Sequence, residues 1–323
     1  MSAIEVSGLR KRYGDLEAVR GVSFEVAPGE VFCLLGPNGA GKTTTTEILE
    51  GYRTRSDGEV RVLGLDPAGG ARELRERVGI VLQSCGVQDD LTVGELIEMY
   101  GRYHRRRRSG GELIELVGLD AKSDTRAGRL SGGQRRRLDL ALALVGDPDL
   151  VFLDEPTTGF DPQARRHAWA TIRALCGLGK TIFLTTHFMD EAQTLADRVA
   201  VMRAGEIIAL GPPAELGGRD ARPAEIRFEL PAATSLDELP DVPALERTID
   251  RGRVLIRTAE AVAATARITA WALEHDVDLA QFSVTQPTLE DVYLELTGER
   301  AETDRDASAA ADTDGAGEVE ADR

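Results

Sequence analysis

"GPNGAGKT", Gly36 to Thr43, follows the apolar run "VFCLL" and opens the run "TTTTEILEGY". Set between a strand and a helix, this match to GxxxxGK[ST] predicts a loop whose backbone N–H groups face phosphate oxygens. Gly36, Gly39 and Gly41 let the backbone wrap closely, and the helix that follows adds a favourable potential for an anion at its start. In this pattern Lys42 reaches the β- and γ-phosphates, and the Thr43 hydroxyl ligates magnesium. Pro37, Asn38, Ala40 and Thr44 complete the cradle.

Outward from that loop, "LVFLDE" (Leu150 to Glu155), "TIFLTT" (Thr181 to Thr186) and "RVAVM" (Arg198 to Met202) repeat the short, continuous apolar pattern. Such strands suit a parallel sheet covered on both faces, so the first part of the chain reads as α/β. Between about Val87 and Gly128 helical patterns replace the strands, as in "LTVGELIEMYGRYHR" and "GELIELVGL", and predict a helical insertion. A second unit opens near Ala224 after a linker-like "GPPAELGGRDARP". Its pattern is strand "AEIRFEL", strand "RVLIRT", helix "AVAATARITAWALEHD", strand "VDLAQFSV" and helix "TLEDVYLELTG", a small α+β domain. Beyond Gly298 the chain is acidic with almost nothing to bury and is expected to be disordered. The expected divisions are residues 1–215, with the helical part at about 87–145, then 216–298 and 299–323.

"LVFLDEP" ends an apolar strand in two carboxylates, which puts Asp154 near a metal and Glu155 where it orients and deprotonates an attacking water. His187 ends "TIFLTTH", at the strand end where open α/β sheets bind ligands, and is a candidate γ-phosphate contact. Gln83, in "VGIVLQSCG", is a candidate ligand of magnesium or the water, and Tyr13 a flat ring for adenine. Spacing alone leaves these last three open to purely structural readings. "RLSGGQRRRLDLAL", Arg129 to Leu142, starts another helix with Ser131, Gly132 and Gly133, a second potential phosphate cradle in one chain.

The 323 residues carry a net charge of −16, which disfavours nucleic acid as the main partner. Of the basic residues only Lys11, Lys42, Lys122 and Lys180 are lysines, and an acidic, Lys-poor surface suits high intracellular salt. No apolar run is long enough to span a bilayer and the first residues lack a signal-peptide core, so a cytosolic protein is expected. Cys33, Cys85 and Cys176 form no CxxC pair, which argues against zinc or a disulfide framework and for buried thiols. Two arginine runs stand out. Arg105 to Arg108 are expected at a solvated helix end, with anionic lipid or an acidic partner loop as the other reading, and Arg135 to Arg137 are expected to be ion-paired or solvated.

"GPNGAGKT", Gln83, "LSGGQ", "LVFLDEP" with "TTGFD", and His187 stand in one order, and that set resembles the nucleotide-binding subunits of ATP-binding cassette (ABC) transporters over about residues 2–215. The resemblance implies a P-loop NTPase fold of the ABC type with a helical subdomain, binding ATP and Mg2+. It implies that Tyr13 stacks on adenine, Gln83 couples the nucleotide site to a membrane subunit, Asp154 holds the metal, Glu155 is the catalytic carboxylate and His187 the switch histidine. Asp161 matches the family's aspartate in that loop, although Phe160 stands where leucine is usual. In the family two subunits dock head to tail, and the segment matched by Ser131 to Gln134 completes the site of the other copy, which implies a homodimer with ATP between its chains.

"QPTLEDVYLELTGE", Gln286 to Glu299, and "VGDPDLVFLDEPTTGFDPQARR" look like the drug-resistance subfamily of the daunorubicin/doxorubicin exporter type. That likeness implies a separate membrane permease, a place on the cytoplasmic face of the membrane, and efflux of drugs or other hydrophobic compounds. A competing reading is a soluble ABC-type ATPase that acts mechanically on nucleic acid or ribosomes; such relatives insert long coiled coils or fuse two cassettes, and this chain has one cassette with a short insertion. A non-hydrolysing nucleotide-binding module is the third, and the presence of Lys42, Ser131, Asp154, Glu155 and His187 gives it no support.

Overall fold

The computed structural model describes residues 2–69, 72–81, 86–231, 238–250, 252–286 and 288–297, and the chain divides into two units at Pro213 and Ala214. The first unit opens with an antiparallel hairpin, β1 (Ile4–Tyr13) and β2 (Leu16–Val26), followed by β3 (Val31–Leu35). Next come α1 (Lys42–Leu49), β4 (Asp57–Val62), α2 (Arg72–Arg77), β5 (Val78–Val81), α3 (Val93–Gly101), α4 (Gly110–Leu116) and α5 (Gly132–Leu144). The unit is completed by β6 (Leu150–Asp154), α6 (Pro162–Gly177), β7 (Thr181–Thr186), α7 (Met189–Leu195), β8 (Arg198–Arg203) and β9 (Glu206–Gly211).

A six-stranded sheet in the order β5-β6-β7-β3-β8-β9 carries the fold, parallel except for its last strand. Every residue of β3 and β7 is buried, as the continuous apolar runs require. Strand β9 returns antiparallel because Ala204 and Gly205, with φ of 49° and 85°, make a two-residue reversal between Arg203 and Glu206. The small antiparallel sheet β2-β1-β4 shares a core with the large one. Phe24 of β2 stacks on Phe32 of β3 at 5.0 Å between ring centroids, and Phe32 on Phe183 of β7 at 5.7 Å. Each such buried ring contributes about 1.5–3 kcal/mol. One cover of the parallel sheet is therefore another sheet.

The helical insertion packs α3 against α4 and α5. Thr92 and Glu95 form a reciprocal cap at the start of α3. The arginine run lies in the connection after α3, and each charge meets a carboxylate: Arg105 with Glu76 (3.8 Å), Arg106 and Arg108 with Asp147 (2.9 and 3.1 Å), and Arg107 with Glu98 (3.3 Å). Lys180, 2.7 Å from Asp147, together with Arg108 and Arg106 holds that carboxyl well below the usual carboxylate range. Cys33 is buried and Cys176 half-buried, both as free thiols whose pKa is raised by burial, and Cys85 lies outside the described residues.

In the second unit β10 (Ala224–Glu229), β11 (Glu246–Asp250), β12 (Arg253–Thr258) and β13 (Ala280–Thr285) make an antiparallel sheet in the order β11-β12-β10-β13. Helix α8 (Ala261–Glu274) covers one face, with Ile268 and Trp271 in a core with Ile226, Phe228, Val254 and Ile256. The other face is a ladder of charges in which Arg257 pairs Glu225 and Glu246 and Arg253 pairs Glu229. Strand β11 has no apolar alternation and was not expected from the sequence. The expected linker also departs from expectation: Leu216 is buried, and a Cβ at Gly217 would lie 2.6 Å from Val292 of α9 (Leu289–Thr297). The acidic segment after Gly298 lies outside the described residues.

Candidate functional site

The loop between β3 and α1 is built on close backbone approaches. A Cβ at Gly36 would stand 2.2 Å from the Met202 carbonyl oxygen, and one at Gly41 2.6 Å from that of Ala18, so neither position accepts a side chain. Gly39 and Gly41 have φ of 81° and 106°, which turn the chain around the loop crest. Ala40 is buried and anchors the loop by accepting from Gly205 N at 2.9 Å, while Pro37, Asn38 and Gly39 form the exposed crest. Lys42 is buried at the start of α1; its Nζ donates to the carbonyls of Gly36 (2.7 Å) and Pro37 (3.1 Å). Burial lowers the Lys42 pKa, and Glu155 and Asp154 oppose that shift. Thr43 is exposed beside it and Thr44 half-buried.

Parallel strands bring the acids to the same end of the sheet. Asp154 of β6 pairs in register with Thr185 of β7, whose hydroxyl donates to the Asp154 carboxylate. Glu155 follows at the turn with φ of 45°, a left-handed conformation rare for a residue with a side chain. Its Oε1 lies 3.1 Å from His187 Nδ1 and 3.9 Å from Lys42 Nζ, and its Oε2 accepts from Thr158 Oγ1 at 3.1 Å. Lys42, the adjacent Asp154 and Glu155, and His187, from three distant segments, thus meet.

Ser131 caps α5. Its Oγ accepts from Gln134 N at 3.3 Å, and Gln134 Oε1 accepts from Ser131 N at 3.0 Å. Asp161 likewise caps α6, accepting from Gln163 N and Ala164 N at 2.9 and 2.8 Å. Ser131, Gly132, Gly133, Gln134 and Asp161 line a cleft of about 500 Å³, and no residue of the 36–44 loop lines it. The loop thus adds nothing to the lining of this cleft, although Gly132 and Gly133 share a neighbouring recess with Glu155. Tyr13 ends β1 with 39 % of its surface exposed, and Lys11 and Arg53 lie over its ring at 5.1 and 5.3 Å. Gln83 lies outside the described residues.

The glycine-walled loop and its buried lysine fit a run of phosphates, since the positions closest to neighbouring backbone carry no side chain. Among the described residues no group of three or more His, Cys, Asp or Glu side chains could hold a metal alone. The Thr43 hydroxyl and the Asp154 carboxylate suit Mg2+, which takes one or two protein oxygens and completes its shell with phosphate and water.

Residues 19–158 match the family described as ABC transporter, and residues 224–288 the family described as ABC transporter domain-containing protein-like, C-terminal domain. The chain is 43% identical over 304 residues to a Nod factor export ATP-binding protein I of Paraburkholderia xenovorans, covering 92% of this chain and 97% of that one. The chain belongs to the ABC transporter ATP-binding proteins. It is similarly 41% identical over 308 residues to the protein of the same name from Ralstonia nicotianae, covering 91% of this chain and 94% of the relative. Among solved structures it resembles cbiO1 from Clostridium perfringens, part of the ABC transporter complex cbiONQ, with TM-score 0.60, 28% identity, and coverage of 66% of this chain and 90% of that one. ABC ATP-binding domains hydrolyse ATP to power transport, and this chain is an ATPase of that kind.

Contacts around Asp154 and Glu155 in this ABC site carry no local signal in the sequence. Thr185 holds Asp154 because parallel register places it there, and Thr158 reaches back across the turn to Glu155. The arginines of α5 differ from expectation: Arg135 pairs Asp89, but Arg136 donates to the carbonyls of Asp154 (2.9 Å) and Pro156 (3.4 Å), and Arg137 to those of Val117 and Gly118. The nearest signal in the sequence was their place within α5, three residues in a row that must point to different neighbours at 100° steps.

Proposed function

We propose that this chain is the ATP-hydrolysing subunit of an ABC exporter, acting as a head-to-tail homodimer with ATP at the interface and driving a separately encoded membrane permease from the cytoplasmic face. The observation that carries this reading is the convergence of Lys42, Asp154, Glu155 and His187 beside one loop, while no residue of that loop lines the cleft around Ser131. The export direction follows the relatives named for Nod factor export. The segment Gln286 to Glu299 favours drugs or other hydrophobic compounds as cargo.

In this reading Tyr13 stacks on adenine, and the N–H groups and side chains of Gly36, Pro37, Asn38, Gly39, Ala40, Gly41, Lys42, Thr43 and Thr44 surround the phosphates. Lys42 exchanges its bonds to the Gly36 and Pro37 carbonyls for phosphate oxygens. Thr43, Asp154 and Gln83 hold Mg2+, which when bound neutralises charge on the phosphates. Glu155 accepts the proton of the attacking water, and His187 fixes the carboxylate and contacts the γ-phosphate. Ser131, Gly132, Gly133 and Gln134 of one copy, with Asp161 beside them, close on the γ-phosphate held by the other. ATP binding then draws the copies together and loss of phosphate releases them.

Glu155→Gln keeps the shape and removes the base. The expected result is loss of turnover with accumulation of an ATP-bound dimer on size-exclusion chromatography; ordinary hydrolysis by this variant would remove Glu155 from the role given. The cargo is tested by purifying the chain with its co-purifying membrane protein and measuring ATPase rates with hydrophobic drugs. Stimulation supports drug efflux, whereas stimulation by DNA or ribosomes without any membrane partner would overturn the exporter reading.

A further inference from the structure

One guanidinium grips both backbone carbonyls that flank Glu155. Arg136 Nη2 donates to the carbonyl of Asp154 at 2.9 Å and Nε to that of Pro156 at 3.4 Å. The residue between them has φ of 45°. A side-chain-bearing residue keeps such a conformation only where its surroundings over-determine it. Thr185 supplies the opposite half of that restraint, accepting from Glu155 N with its carbonyl (3.1 Å) and its hydroxyl (3.2 Å). The Glu155 backbone is thus held from β7 on one side and from α5 on the other.

The chemistry of the donor matters here. A guanidinium presents several N–H groups in a rigid plane and reaches two carbonyls on either side of one residue, whereas an ammonium is a single point of donation. Arg136 stands five residues after Ser131 on the same helix, so the cap of α5 and the catalytic turn belong to one hydrogen-bonded body. Arg136, Glu155, Gly132 and Gly133 also line one recess of about 480 Å³.

We propose that Arg136 is a positioning residue for ATP hydrolysis, holding the Glu155 turn in its left-handed conformation and tying the carboxylate to the helix that Ser131 caps. The proposal rests on the reading of Glu155 as the base. It is tested with the full chain by steady-state ATPase and Mg-ATP binding for Arg136→Met and Arg136→Lys, each alone and combined with Glu155→Gln. A misplaced base predicts that Arg136→Met lowers kcat by about 10–100-fold, with KM and ATP affinity within about twofold of the parent. Arg136→Lys, which keeps the charge and a single donor nitrogen, falls between that variant and the parent. In the Glu155→Gln background Arg136→Met lowers the residual rate no further, because both changes remove the same function. Unchanged kcat in Arg136→Met, or loss of ATP affinity in step with kcat, overturns the proposal, and if the Met variant does not fold, the Lys variant decides by the same two readings. Ordinary hydrolysis by Glu155→Gln alone refutes the base itself; an inactive Glu155→Gln beside a fully active Arg136→Met refutes only the role of Arg136.

Discussion

His187 Nδ1 and Glu155 Oε1 lie 3.1 Å apart across the ends of two parallel strands, and the same carboxylate oxygen is 3.9 Å from Lys42 Nζ. Glu155 thereby has one oxygen directed at the ring and the lysine, and the other held by Thr158. Removing the ring leaves the carboxylate held, among the described residues, by Thr158 alone at hydrogen-bond distance, without disturbing the loop that receives phosphate. His187→Ala is expected to lower kcat by about 100-fold and ATP affinity by only about threefold, the share of its γ-phosphate contact. Steady-state kinetics with a separate nucleotide-binding measurement checks this, and a matched loss of affinity would place His187 in binding instead.

Because no residue of the 36–44 loop lines the Ser131 cleft, a complementation test is decisive. Ser131→Arg is expected to abolish hydrolysis while the isolated monomer still binds ATP. Mixed in equal amounts with Lys42→Ala, it restores one working site in each mixed dimer, or about a quarter of the parent activity if copies pair at random and sites act independently. No recovery on mixing would mean that Ser131 serves its own nucleotide.

Two glycines of the loop separate sterics from backbone strain. Gly36→Ala drives a methyl into the Met202 carbonyl, which is fixed backbone, and is expected to cost about 1–3 kcal/mol or more together with ATP binding. Gly39→Ala meets no atom within 4 Å but must adopt φ of 81°, for a loss of about 1 kcal/mol. Thermal unfolding of both variants, read beside ATP affinity, distinguishes them.

Glu50, at the end of α1, is 6 % exposed, and burial together with the Asp154 and Glu47 charges pushes its pKa up to about 8. Between the ordinary value of 4.5 and about 8 the folded chain holds this proton and the unfolded chain releases it. Stability from this group therefore falls as pH rises through that window, by up to about 1.4 kcal/mol per pH unit. Glu50→Gln should flatten the melting temperature against pH between 5 and 8 and raise it at the upper end, as followed by calorimetry; an unchanged slope would assign the effect elsewhere.

Local chemistry sufficed for much of this protein. Continuous apolar runs marked β3, β6, β7 and β8, glycines at 36, 39 and 41 marked the loop, and Ser131 with Gly132 and Gly133 marked a helix start, because each signal lies within a few residues of what it specifies. Contacts set by register or packing were decided elsewhere. Thr185 meets Asp154 only because β6 and β7 align in parallel, and β11, whose own residues are nearly all exposed, is a strand because β12 supplies its hydrogen bonds. Gly217 and Leu216 read as a linker until Val292 is brought beside them. Arg136 read as surface charge until α5 was laid against the turn at Glu155. A sequence pattern reports which residues prefer a strand, a cap or a tight turn; partners tens of residues away are chosen by the packing of whole elements, and that choice belongs to the tertiary structure alone.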